Sequence, residues 1–224
     1  MTQYSVILCQ KNPTDSLQVM PSGGMCQNVF MGLRELKKAR TRATLHDVAM
    51  ELFARNGFDQ TTVEEIAEAC EVSPRTFFRY YATKEELLFV DSQQRCAALL
   101  EILAAQPLED PPLEVLHRSL HTLALDYEPE RDRLVARARV LDGSPTLRAD
   151  KAEQQRGWEA ALFEELERRN RVAVHPLTSH ELRLRVAVSM AAFRTVFDIW
   201  LDDAGTDFVG VLDESFDQLA RGLS

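Results

Sequence analysis

Thr62–Tyr81, TVEEIAEACEVSPRTFFRYY, constrains the fold more than any other stretch of this chain. Val63, Ile66, Ala67 and Cys70 recur at helical spacing. A short turn then leads to Ser73-Pro74, a capping residue followed by the one residue that loses no hydrogen bond at a first helical position. Two short helices joined this tightly predict a helix-turn-helix over 62–81. That arrangement pushes the front of its second helix into the major groove of DNA.

The flanks extend the pattern. Leu45, Val48, Ala49, Leu52 and Phe53 form one apolar helical stripe, and Asn56-Gly57 stops it, with Phe58 able to fold back on the last turn. Thr61 and Thr62 each have a glutamate three residues on, Glu64 and Glu65, so either can form a capping box. Thr83 is expected to cap a longer fourth helix carrying Leu87, Leu88, Leu99, Leu100 and Leu103. Further on, prolines and glycines leave helical patterns at about 112–127, 129–141, 146–170, 179–202 and 207–222, and no strand-like alternation competes.

The expected fold is therefore all-α, with about nine helices. An N-terminal three-helix DNA-binding domain over 33–92 would be followed by a second, C-terminal helical domain over 93–224. Residues 1–32, rich in Gln, Asn, Ser, Gly and Pro, read as a disordered tail, with Met25 and Met31 as alternative translation starts.

The net charge of −9 argues against nucleic acid until it is resolved by position. Residues 33–92 carry −2 and residues 93–224 carry −7, whereas Arg34, Lys37, Lys38, Arg40 and Arg42 cluster against Glu35 alone. Phosphate binding follows local cation density, so the acidic total does not exclude it. No window approaches the roughly 20 apolar residues of a membrane span, and the N-terminus is a poor secretory signal. Four cysteines without metal-ligand spacing are expected as reduced thiols in a cytoplasmic protein.

Each residue of the motif has a physical role on a double-stranded DNA operator. Arg75, in the first turn of the second motif helix, offers a fork that pairs with guanine O6 and N7. Thr76 can touch a thymine methyl or a phosphate. Arg79 and Tyr80 follow near the same face, while Phe77 and Tyr81 are expected to pack inward. Thr61 or Thr62, at the start of the first motif helix, would present a hydroxyl and amide hydrogens to a phosphate. Ser73 and Pro74 set the approach of the helix, and Lys84 is expected as a backbone clamp. The Arg34–Arg42 cluster has three open readings: a minor-groove arm, a phosphate contact, or a solvated helix start.

Residues 33–92 resemble the DNA-binding domain of the tetracycline-repressor (TetR) family, notably in TTVEEIA, VSPRTFF and TKEELL. The segment SPTLRADKAEQQRGWEAAL is similar to the C-terminal domain of actinobacterial members grouped with the mycofactocin-system regulator. The resemblance implies a homodimer that represses transcription at a near-palindromic operator and leaves it when a small-molecule effector fills a pocket in the C-terminal ligand-binding and dimerisation domain, 93–224. Activation, or DNA binding without a ligand, is the alternative on the same fold. Two departures stand out: Glu71 occupies a turn position where the family has glycine, and Phe78 stands where a phosphate-bonding tyrosine is usual.

In the C-terminal half, Val186, Ser189, Phe197 and Trp200, with Phe208, Leu212 and Phe216, form apolar faces expected at the dimer interface. Ala187, Ala191 and Ala192 would permit close helix approach. Leu116, Leu120, Leu123, Tyr127, Trp158, Leu162, Met190 and Phe193 are the candidate effector pocket. Arg137 and Arg139 could meet a ligand anion, but the acid excess of this half is the simpler partner. His117 and His121 lie one turn apart without an intervening metalloprotease glutamate or an evident third ligand, so a structural role is the expectation. No nucleophile, phosphate loop or paired acid and base supports an enzyme, and neither a catalytic residue, a cofactor nor a metal is expected.

Overall fold

The structure, a computed structural model, describes residues 33–222. The tail expected over 1–32, with Cys9, Cys26, Met25 and Met31, lies outside the described residues, as does the side chain of Arg34. The described chain is helical throughout: α1 (Leu33–Asn56), α2 (Val63–Ala69), α3 (Pro74–Tyr80), α4 (Glu86–Ala104), α5 (Pro112–Tyr127), α6 (Arg131–Asp142), α7 (Pro145–Asn170), α8 (Ser179–Asp202) and α9 (Phe208–Arg221). A single 3-10 turn, Glu128–Glu130, precedes α6 because Pro129 cannot donate to a longer α-helix.

Local chemistry sets the ends. Gly57, at φ +84°, closes α1, and the Phe58 ring folds back to 4.9 Å from that of Phe53. Of the two threonines able to cap α2, Thr62 does so: its hydroxyl accepts from the Glu65 amide while the Glu65 carboxylate accepts from the Thr62 amide. At the other end of α2, the Glu71 N–H reaches the Glu68 oxygen and the Val72 N–H reaches that of Ala67, a Schellman closure. It requires a left-handed residue, and Glu71 takes it at φ +54°, costing about 1 kcal/mol against glycine. Helix α4 starts at Glu86, later than expected, because residues 82–85 form a turn whose Thr83 hydroxyl accepts from the Glu86 amide.

Two cores result. The first gathers Leu45, Phe53, Ile66, Phe77 and Leu87 from the head, but also Val140, Leu141 and Leu147 from α6 and α7. The expected boundary at residue 92 falls inside α4, and the head does not close its core without the C-terminal half. The second core joins α4, α5, α6, α7, α8 and α9. There, Arg169 is buried and satisfied: its guanidinium donates to the oxygens of Leu103 and Gln106 at 3.2 and 3.0 Å, and to that of Pro107, capping the end of α4.

Candidate DNA-binding face and effector cavity

The helix-turn-helix is built as its sequence requires. Ser73 caps α3 by accepting from the Thr76 amide at 3.1 Å, and Pro74 takes the first helical position. Phe77 and Tyr81 are buried, and the Tyr81 hydroxyl donates to the Arg42 oxygen at 3.0 Å, fixing α3 to α1. This leaves Arg75, Phe78 and Arg79 pointing outward, with Phe78 54% exposed. Thr76 is half-buried, its hydroxyl 3.0 Å from that of Ser73.

Tertiary packing adds the start of α1 to that face. Glu35, Lys37, Lys38 and Thr41 line a groove with Arg79 and Tyr80. The Arg79 guanidinium lies 5.1 Å from the Tyr80 ring centre and bonds its hydroxyl, which lowers the Tyr80 pKa; burial opposes this weakly. Arg40 is exposed but does not line the groove.

Three expected DNA contacts are corrected. Thr61 is 1% exposed, and its hydroxyl donates inward to the Gly57 oxygen at 2.8 Å, because the turn after α1 needs that carbonyl satisfied. Lys84 donates to the oxygens of Phe58 and Thr61 at 2.7 and 2.8 Å, and its ammonium sits 4.1 Å from the Phe58 ring centre. It stitches the loop before α2 rather than reaching outward. Arg42 stacks on Tyr81 at 5.1 Å and faces Glu86 at 4.0 Å, so it ties α1 to the start of α4.

In the C-terminal half, a cavity of about 110 Å³ lies among α4, α5, α6, α7 and α8. Of the pocket residues expected, Tyr127, Trp158, Met190 and Phe193 line it. Leu116, Leu120, Leu123 and Leu162 do not: they are buried in the core cluster that packs the helices of this half. Burial pushes the Tyr127 hydroxyl up to about 12. Burial likewise raises the Asp198 carboxyl at the cavity edge, although Lys151 opposes it.

Arg137 is the polar group that matters most there. Among the described residues no carboxylate lies within 4.0 Å of its guanidinium, contrary to the expectation that surrounding acids would absorb it. Burial lowers its pKa, and its Nε donates to the Leu88 oxygen of α4 at 2.6 Å. The signal was in the sequence: Leu134, Arg137, Ala138 and Leu141 recur on one face of α6, and all four line the cavity.

The dimer residues need the largest correction. Val186, Ser189, Trp200, Phe208, Leu212 and Phe216 are buried within the single chain, and Phe197 lines the cavity. An apolar stripe of α8 must first satisfy the core of its own subunit, and Trp200 stacks on Phe208 at 4.8 Å. The outward stripe of α8 is a different one: Leu184, Ala187, Val188, Ala191, Thr195 and Ile199, with Leu184 54% and Ile199 47% exposed. Ala187 and Ala191 are exposed on it, whereas Ala192 is half-buried.

Comparison with known proteins decides the family. Residues 45–90 match the tetR family of bacterial regulatory proteins, and residues 110–224, half of the chain, match the MftR C-terminal domain. The regulator TcmR of Streptomyces glaucescens is 34% identical over 182 residues, covering 79% of this chain and 80% of that one. The chain belongs to the TetR family. It is a DNA-binding transcriptional regulator with an MftR-like C-terminal domain. MftR of Mycobacterium tuberculosis, named for regulation of mycofactocin biosynthesis, is 30% identical over 84% of this chain and 96% of its own length. Among solved structures, the TetR-family repressor FadR of Thermus thermophilus, in complex with lauroyl-CoA, superposes with a TM-score of 0.56 at 28% identity, over 82% of this chain and 95% of that one. FadR of Bacillus halodurans, at 20% identity and a TM-score of 0.58 over 82% of this chain and 96% of that one, shares the fold. Among the described residues no helix is long and apolar enough to cross a membrane.

Proposed function

We propose that this regulator is a homodimeric repressor that holds a near-palindromic operator and releases it when a small amphipathic anion occupies the α6–α8 cavity. The observation that carries ligand control is Arg137: a half-buried guanidinium with no carboxylate within 4.0 Å among the described residues, set in a mostly apolar wall. A carboxylate or phosphate on the effector would supply the missing counter-charge.

The cavity volume supports a ligand that moves its walls. At about 110 Å³ it lies below the ~300–1,000 Å³ of ordinary small-molecule sites, so a larger effector must widen it. Leu141 belongs both to that wall and to the core of the head. Widening the cavity therefore strains the packing that orients α3, and the release achieved can be no larger than the effector's preference for the widened state. The lauroyl-CoA held by Thermus thermophilus FadR supports fatty acyl thioesters as the first class to try.

Dimerisation is supported by the outward stripe of α8, whose alanines let a second copy approach closely. Two recognition helices would then meet successive major grooves about 34 Å apart or somewhat more. The test is fluorescence anisotropy on duplexes from the regulator's own genomic surroundings at low salt, with lauroyl-CoA titrated in. Tight binding reversed by the thioester is expected. Failure to bind any such duplex would overturn the operator reading, and binding indifferent to acyl thioesters would overturn the effector class alone.

A further inference from the structure

We propose that His117, His121 and Asp213 form a binding site for a first-row transition-metal dication, with zinc the ion that suits it best. The two histidines leave one face of α5 a turn apart, and α9 delivers the third donor from about ninety residues along the chain. His117 Nε2 lies 2.7 Å and His121 Nδ1 2.9 Å from the same oxygen, Oδ1 of Asp213. One donor atom from each of the three residues falls within 4.8 Å of the other two. The pair of histidines alone lacked a third ligand; the fold supplies it.

The arrangement suits a metal in several independent respects. Two imidazoles and one carboxylate make an N,N,O set, which favours zinc, copper, nickel or cobalt over magnesium or calcium. Donors around a tetrahedral zinc at bond lengths near 2.0–2.1 Å sit about 3.3 Å apart. The two histidine–aspartate spacings reach that value by a shift of about half an ångström, and the two histidine nitrogens, within 4.8 Å of each other, close by at most about 1.5 Å. The His117 ring is stacked on Phe216, with centres 4.6 Å apart and planes at 14°, so its nitrogen is aimed before any ion arrives. The three side chains are 27%, 35% and 42% exposed, which leaves a path for the ion and room for water as a fourth ligand. An aspartate carboxylate is an anion at neutral pH, as a metal ligand must be.

Without an ion, both rings must donate N–H groups into one carboxylate oxygen. A dication replaces those two protons and receives three lone pairs at the same point. The consequence is mechanical: the ion would clamp α9, which also packs against α8, to α5. The site lies apart from the effector cavity, whose lining includes none of the three ligands.

The test uses untagged, chelator-stripped full-length protein. Cobalt titration should give visible d–d absorption saturating at one ion per chain, and zinc should displace it and raise the thermal midpoint. His121→Ala and Asp213→Asn should each weaken binding by about tenfold or more, since even outer-shell changes cost about 10–100-fold. His180→Ala, on the exposed first turn of α8, should not alter it. Circular dichroism checks folding, and the isosteric Asp213→Asn stands alone if His121→Ala does not fold. Absence of cobalt absorption together with a zinc-insensitive midpoint overturns the site, and so does binding that persists in folded Asp213→Asn. Either result would leave the three residues as a hydrogen-bonded tie between helices.

Discussion

The Arg137 guanidinium, through Nε, is hydrogen-bonded to the backbone oxygen of Leu88 at 2.6 Å. That bond joins α6, which lines the cavity proposed for the effector, to α4, which leaves the DNA-binding head. A ligand anion that draws the guanidinium into the cavity competes with it directly. Arg137→Met should therefore leave operator affinity within about threefold and weaken the effector's action by about tenfold to a hundredfold, the value of one or two charge-assisted hydrogen bonds. Operator titrations with and without lauroyl-CoA measure both quantities. A variant that responds to effector like the parent would remove Arg137 from recognition.

Arg75 is exposed on the first turn of α3 and has no hydrogen bond or ion pair among the described residues, so its value is expected on DNA alone. Arg75→Ala should cost about 1–3 kcal/mol on the operator and relax the preference at one base position, with the thermal midpoint unchanged. Competition among operators mutated at single positions reads this out. An even loss on all sequences would mean that the residue touches only phosphate.

Lys84 has the opposite profile. Its ammonium is bonded to two carbonyl oxygens and rests on Phe58. Lys84→Met should lower the thermal midpoint of the protein, while the dependence of DNA affinity on salt keeps its slope. A slope reduced by about one, with stability intact, would restore the phosphate role expected from the sequence.

The dimer face is tested on its exposed residues, because the buried ones would unfold the subunit. Leu184→Asp with Ile199→Asp should convert the dimer to a folded monomer by light scattering, and operator affinity should fall with it. Helical content equal to the parent separates lost association from lost folding. A double variant that stays dimeric would place the interface elsewhere.

Tyr127 gives a prediction in pH. Its folded pKa of about 12 exceeds the unfolded value near 10, so its contribution is fully present below pH 10 and is lost as pH rises toward 12. The stability at stake is of order 2–3 kcal/mol. Ultraviolet titration of the native protein should show Tyr80, whose hydroxyl is bonded by Arg79, ionising before Tyr127. Tyr127→Phe should flatten the loss of stability in alkali; an unchanged alkaline limb would assign that limb to other groups.

The sequence by itself determined what short-range chemistry controls. Ser73-Pro74 starts α3, Gly57 ends α1, and the stripes of Phe77, Tyr81, Leu45 and Phe53 settle which faces turn inward. Those are decided within a turn or two of helix, by caps, glycine geometry and periodicity. The family resemblance marked Glu71 as standing at a usual glycine, and the structure shows it left-handed there, at φ +54°. The choice among partners for a given apolar or charged group was made only in three dimensions. Trp200 and Phe216 form stripes equally suited to a second subunit or to their own core, and only the packing of α9 on α8 assigns them inward. Lys84 has the same charge whether it meets phosphate or the oxygens of Phe58 and Thr61, and Asp213 becomes a neighbour of His117 only once α5 and α9 lie side by side. Periodicity reports that a side chain is buried or exposed; it carries no information on what stands opposite.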